Sequence, residues 1–121
     1  MKKILVIEDD ITTSFLVEQT LLKHGFEVDV VDDGDKAFDS FKQNLYDVVI
    51  TDVYLPNKDG LTLLKEIKAH TPKTKVIVMS GGSFKGYDVL KMALTQGADR
   101  TARKPDDMRL IGDIVNSCFG E

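Results

Sequence analysis

Apolar residues in this chain fall into short unbroken runs separated by longer amphipathic stretches. Residues 4–7, 48–50 and 76–79 are such runs. A segment apolar at every position reads as a strand buried on both faces, as in a parallel sheet. Residues 26–31 alternate with Glu27 and Asp29 and read as a further strand. Between the runs the spacing turns helical. Ile11, Phe15, Val17, Leu21 and Leu22 share one broad arc of a helix that Asp10 can cap and Gly25 can end. After an Asp32-Asp33-Gly34 turn, Ala37, Phe38 and Phe41 mark a short helix, with Leu45 expected to pack just beyond it. Leu61, Leu64 and Ile67 give a helix face that ends near His70-Thr71-Pro72, and Val89, Leu90, Ala93 and Leu94 give another over residues 87–96. The rhythm then predicts a strand over residues 98–103, where Asp99, Arg100 and Arg103 make it polar enough to belong at a sheet edge. A last helix is expected over residues 106–118, burying Leu110, Ile111, Ile114 and Val115.

Strand and helix alternate five times, and each crossover is long enough to hold its helix. The sheet is therefore expected to be parallel with right-handed connections. The reading is an α/β, doubly wound, flavodoxin-like fold with strand order 2-1-3-4-5, forming a single domain over residues 1–121. A length of 121 residues suits one such core. The net charge of −4, with no long run of Lys or Arg, argues against nucleic acid as a partner. The run at residues 4–7 is too short for a signal peptide or a membrane span. One cysteine, Cys118, excludes an internal disulfide and fits a reducing cytoplasm. His24 and His70 both read as helix-end residues.

Charge and chemistry gather at one end of this predicted sheet. Strand 1 delivers Glu8 and Asp9, strand 3 delivers Asp52, strand 4 delivers Ser80, and Lys104 follows strand 5. Strands 1 and 3 flank the topological switch point, where a crevice opens at the carboxyl edge. Three carboxylates in one cleft raise each other's pKa, and their favourable use is to bind a hard cation such as Mg²⁺, with Mn²⁺ as an alternative. Lys104 offers a point charge for a carboxylate or phosphoryl oxygen, and Ser80 offers a hydroxyl. An aspartate so placed can act as a nucleophile toward phosphorus, because phosphoryl transfer needs mainly positioning and charge neutralisation.

The segments I-L-V-I-E-D-D, V-V-I-T-D-V-Y-L-P-N-K-D-G, V-I-V-M-S-G and A-R-K-P together resemble the receiver domain of two-component response regulators, across essentially the whole chain. The resemblance implies Asp52 as phosphoacceptor, and Glu8 and Asp9 as the acidic pair that holds Mg²⁺, Asp9 directly. It also implies the backbone carbonyl of Tyr54 as a further ligand, Ser80 as the switch hydroxyl, Lys104 as the phosphoryl-binding lysine, and a cis Lys104–Pro105 bond. The implied donor is a sensor histidine kinase or a histidine phosphotransfer protein. The domain would turn over nothing but its own phosphate, and would signal through protein contacts, alone or within a longer protein.

The chain departs from that family's pattern in three places. Thr101 stands where Tyr or Phe is usual, so no ring can swing inward there. Arg100 and Arg103 make the fifth strand polar, and Gly81-Gly82 follow Ser80, which should leave the site open to water. Two alternatives compete with the phospho-switch. One is a degenerate receiver that binds partners without phosphorylation. The other is a flavin-phosphate binder, disfavoured because Glu8-Asp9-Asp10 would repel a phosphate.

Overall fold

A computed structural model of the protein describes residues 1–81 and 88–121. Five parallel strands, β1 (Lys3–Ile7), β2 (Glu27–Val31), β3 (Val48–Asp52), β4 (Lys75–Ser80) and β5 (Arg100–Arg103), form one sheet in the order β2-β1-β3-β4-β5. Helices α1 (Ile11–Lys23), α2 (Gly34–Gln43), α3 (Gly60–His70) and α4 (Val89–Thr95) lie in the four crossovers, and α5 (Ile111–Ser117) follows β5. Residues 82–87, which include Gly82 and the expected start of the fourth helix at Tyr87, lie outside the described residues.

The period of two in each strand sorts its side chains between two cores. Leu5, Ile7, Val49, Val76 and Val78 pack under α2, α3 and α4. Ile4, Val6, Val48, Ile50, Ile77 and Met79 pack under α1 and α5. Both faces of β1, β3 and β4 are thus covered, which is why their sequences are apolar without alternation. Aspartates start four of the helices: the side chains of Asp10, Asp33, Asp59 and Asp88 each accept from a backbone N–H in the first turn. Every one of these caps lies at the carboxyl end of the sheet, so the caps and the site share an edge.

Several expectations need correction. In α1 only Val17 and Leu21 are buried, while Ile11, Phe15 and Leu22 are exposed. The stripe that lies over the sheet is narrower than the apolar arc, and Ile11 opens the helix past the strand ends. Leu45 is 90% exposed. The next residue, Tyr46, takes the packing position instead, its hydroxyl donating to Asp29 at 2.7 Å and meeting Ser40 at 3.0 Å. Leu94 is also exposed. The last helix is shorter than expected, because Met108–Leu110 forms a 3₁₀ turn before α5. There Met108 is buried and Leu110 points outward. The polar fifth strand does stand at the edge, but begins at Arg100, and the Lys104–Pro105 bond is cis.

Leu64, fully buried under the sheet, and exposed Leu45 should respond differently to truncation. Leu64→Ala is expected to lower unfolding free energy by about 2–5 kcal/mol. Leu45→Ala should stay within about 0.5 kcal/mol. Urea denaturation followed by circular dichroism distinguishes the two.

Candidate functional site

Three strand ends at the carboxyl edge bring the charged groups together. Glu8 follows β1 and is held there by its N–H to Val31 carbonyl bond at 3.1 Å. Its side chain turns inward and is fully buried, whereas that of Asp9 is exposed. Asp52 ends β3 with its side chain 9% exposed. One oxygen from each of Glu8, Asp9 and Asp52 lies within 4.8 Å of the others. From the far side of the sheet, the Lys104 ammonium donates to Glu8 Oε1 at 2.7 Å and to Asp52 Oδ2 at 3.1 Å. The other Asp52 oxygen accepts from the Val53 N–H at 2.9 Å. The second Glu8 oxygen accepts from the Asp10 N–H at 3.2 Å.

Burial sets the electrostatics. It pushes the Glu8 carboxyl up to about 7, a rise that the Lys104 hydrogen bond opposes and the Asp52 charge reinforces. Burial also works to lower the Lys104 pKa, but the hydrogen bond to Glu8 and the charge of Asp52 outweigh it, and the net shift is upward. The ammonium therefore stays charged between two acids. Once Glu8 is ionised, two carboxylates against one half-buried cation leave the cleft short of positive charge, before exposed Asp9 is counted. That donor set, all oxygen and rich in carboxylate, suits Mg²⁺.

The remaining expected residues also reach this edge. Ser80 ends β4, is buried, and its carbonyl accepts from the Lys104 N–H at 2.8 Å. Tyr54 lies two residues beyond Asp52 with its ring largely exposed. Thr101 is half-buried on β5, in register with Val78. Asp52 accepts from a loop N–H and pairs with Lys104 while standing inside the acidic cluster. The Val53 N–H was not foreseen, since a backbone donor leaves no mark on residue type. Gly60 is the first residue of α3. A Cβ there would overlap the Asp52 carbonyl oxygen and stand 2.9 Å from its carbonyl carbon, so the glycine lets α3 start directly against the strand end.

A doubly wound parallel sheet with an acidic cluster and a lysine at its switch point defines a class of phosphoryl-handling α/β domain. Residues 4–116 match the response regulator receiver domain family, and the chain belongs to it. It is 33% identical over 106 residues to the transcriptional regulatory protein RprY of Bacteroides fragilis, an alignment covering 88% of this chain and 44% of that protein. A protein-glutamate methylesterase/protein-glutamine glutaminase of Chromobacterium violaceum is 34% identical, with 85% of this chain and 29% of that protein covered. The chain thus spans less than half the length of these curated relatives. A response regulator receiver domain protein from Clostridium thermocellum superposes with a TM-score of 0.88 at 31% identity, over 99% of this chain and 95% of that one. No helix among the described residues is long and apolar enough to cross a membrane.

The raised Glu8 pKa makes a signed prediction. A carboxyl that binds its proton more tightly folded than unfolded stabilises the fold fully below its unfolded value, and that contribution is lost as pH rises through the folded value. In metal-free protein, stability relative to Glu8→Gln should therefore fall as pH rises from 4.5 through about 7. Urea denaturation of both proteins in chelator across that range checks it, and a constant difference would contradict the assignment.

Proposed function

We propose that residues 1–121 act as one receiver unit in which Asp52 accepts a phosphoryl group from a phosphohistidine of a sensor kinase or phosphotransfer protein. The observation that carries this reading is the convergence of Glu8, Asp9 and Asp52 oxygens within 4.8 Å, with Lys104 Nζ 3.1 Å from Asp52 Oδ2. Mg²⁺, or Mn²⁺ in its place, would be held by Asp9, Asp52 and the Tyr54 carbonyl, with Glu8 behind them. Bound there, the ion would supply positive charge to offset that of the transferring phosphoryl group.

The protein's own part is orientation and charge. An Asp52 carboxylate oxygen attacks phosphorus, the new O–P bond forms as the N–P bond to the donor imidazole breaks, and the imidazole leaves to take up a proton. The Val53 N–H fixes the carboxylate plane, and Lys104 can turn its ammonium from Asp52 to a phosphoryl oxygen without leaving Glu8. Ser80 stands on the neighbouring strand end as a hydroxyl donor. Hydrolysis reverses the gain: water attacks phosphorus, the O–P bond breaks, and the carboxylate is restored. No other substrate is turned over. The output runs through protein contacts, in the reducing cytoplasm that a single unpaired cysteine suits. The complete set of charged groups weighs against a binding module that never takes phosphate.

Incubation with acetyl phosphate and Mg²⁺ should add the mass of one phosphoryl group. Asp52→Asn or chelation should abolish the gain, and a gain that survives in Asp52→Asn would refute the assignment. Asp9→Asn should weaken Mg²⁺ affinity by roughly tenfold or more, measured by calorimetric titration.

A further inference from the structure

We infer that Gly34, the first residue of α2 and no part of the acidic cluster, is a positioning residue for Asp52, acting through residues 56–58 of the acceptor loop. The inference rests on the phosphoacceptor reading of Asp52. The inner end of that loop is fixed by α3: Gly60 donates its N–H to the Val53 carbonyl at 2.8 Å, and Asp59 caps the helix. The outer bend is fixed by α2. Gly34 donates its N–H to the Pro56 carbonyl at 3.1 Å. A Cβ at Gly34 would overlap the Lys58 carbonyl oxygen and stand 2.6 Å from Lys58 Cβ.

Two side chains tighten the same contact. Asn57, at φ 69°, sends its amide to Asp33 Oδ2 at 3.3 Å, and Asp33 itself caps α2. Lys58 passes 4.7 Å from the centre of the Phe38 ring on α2 and reaches Glu66 Oε2 on α3 at 3.0 Å. The loop that starts at Val53, whose N–H holds Asp52 Oδ1, is thus wedged between two helix starts. Gly34 has no positive φ, so backbone conformation does not demand glycine there. The close approach of the loop does. A methyl group at that position forces the bend outward, and the displacement runs along a short, tethered loop to the groups that orient Asp52. Misplacing a reacting group by about 1 Å can slow a reaction roughly a hundredfold.

Gly34→Ala should therefore lower the rate constant for phosphorylation by acetyl phosphate, at saturating donor and Mg²⁺, by about tenfold to a hundredfold, with KM within about twofold of wild type. Ala37→Gly perturbs a buried position of the same helix and serves as control. At an equal or larger loss of Tm it should keep the wild-type rate. Amide resonances of Val53 and Gly60 should shift in Gly34→Ala and not in Ala37→Gly, a readout that needs no phosphorylation. If wild type takes no phosphate, the phosphoacceptor reading falls and the resonances alone judge the positioning role. A folded Gly34→Ala with wild-type rate and resonances, or an equal rate loss in Ala37→Gly, overturns the inference. If Gly34→Ala does not fold, Lys58→Ala replaces it: severalfold slower phosphorylation at unchanged KM supports the inference, and an unchanged rate overturns it.

Discussion

Two buried carboxylates held by one ammonium are the constraint on which the rest of this structure depends. Glu8 has no exposed side-chain surface and Asp52 almost none, yet both contact the Lys104 ammonium. An unpaired buried charge costs several kcal/mol after relaxation, on the order of what a domain of this size has to spare. Lys104 must therefore arrive from the far side of the sheet, and it can do so only if β4 and β5 end level with β1 and β3. The Lys104 N–H to Ser80 carbonyl bond and the Asp107 carboxylate that accepts the Arg103 N–H at 2.8 Å fix that level. The pairing neutralises only part of the charge. Asp9 stays outside it, and the excess of carboxylate that remains is of the kind that suits a hard divalent cation.

The topology supplies this convergence without long-range adjustment. Parallel strands all end on the same edge, and the order β2-β1-β3-β4-β5 places the two acidic ends beside each other. The helices begin on that edge too. Their aspartate caps settle the first-turn N–H groups locally and so leave Glu8, Asp9 and Asp52 for the cleft. Asp10 shows the division within one tripeptide: it caps α1 through the Thr13 N–H at 2.9 Å and is not in the cluster, while its two neighbours are.

Much of this was legible in the sequence because the signals were periodic. Runs apolar at every position could only be doubly covered strands, and residues at their carboxyl ends had to share an edge. That logic puts Glu8, Asp9, Asp52, Ser80 and Lys104 at one edge from the sequence alone. It failed where apolar residues serve no face of the core. Ile11, Phe15 and Leu22 carry helical spacing but lie off the stripe that α1 presses on the sheet, and a residue pattern does not say how wide that stripe is. Leu45 and Leu110 were displaced by Tyr46 and Met108, neighbours that fit the core from a bend and a 3₁₀ turn. The glycines at 34 and 60 were illegible for another reason. Their role is the absence of a Cβ against backbone from a different element, and such a contact exists only once the chain is folded.

The polar fifth strand, which from sequence looked like erosion of the family pattern, has a physical place in this sheet. An edge strand exposes unpaired ladder groups, and charge along it discourages a second chain from adding. Arg100 does more than repel. Its guanidinium donates to the Ser117 hydroxyl at 3.1 Å, the Ser117 carbonyl at 2.9 Å and the Asp99 carbonyl at 2.7 Å, so it ties β5 to the carbonyl end of α5, where a cation is favoured. Asp99 in turn accepts from Lys68 at 2.6 Å and from the Val76 N–H at 2.8 Å, which binds the start of β5 to α3 and β4. Just past these ties Thr101 occupies a half-buried position on β5 and carries no ring. Among the described residues, the Lys104 N–H to Ser80 carbonyl bond and the Asp107 N–H to Arg103 carbonyl bond tie this edge to the cleft, beside the Lys104 ammonium itself. Side-chain hydrogen bonds thus hold β5 at its start, through Asp99 and Arg100, and at its end, through the Asp107 carboxylate, and so fix the level at which Lys104 meets the two carboxylates.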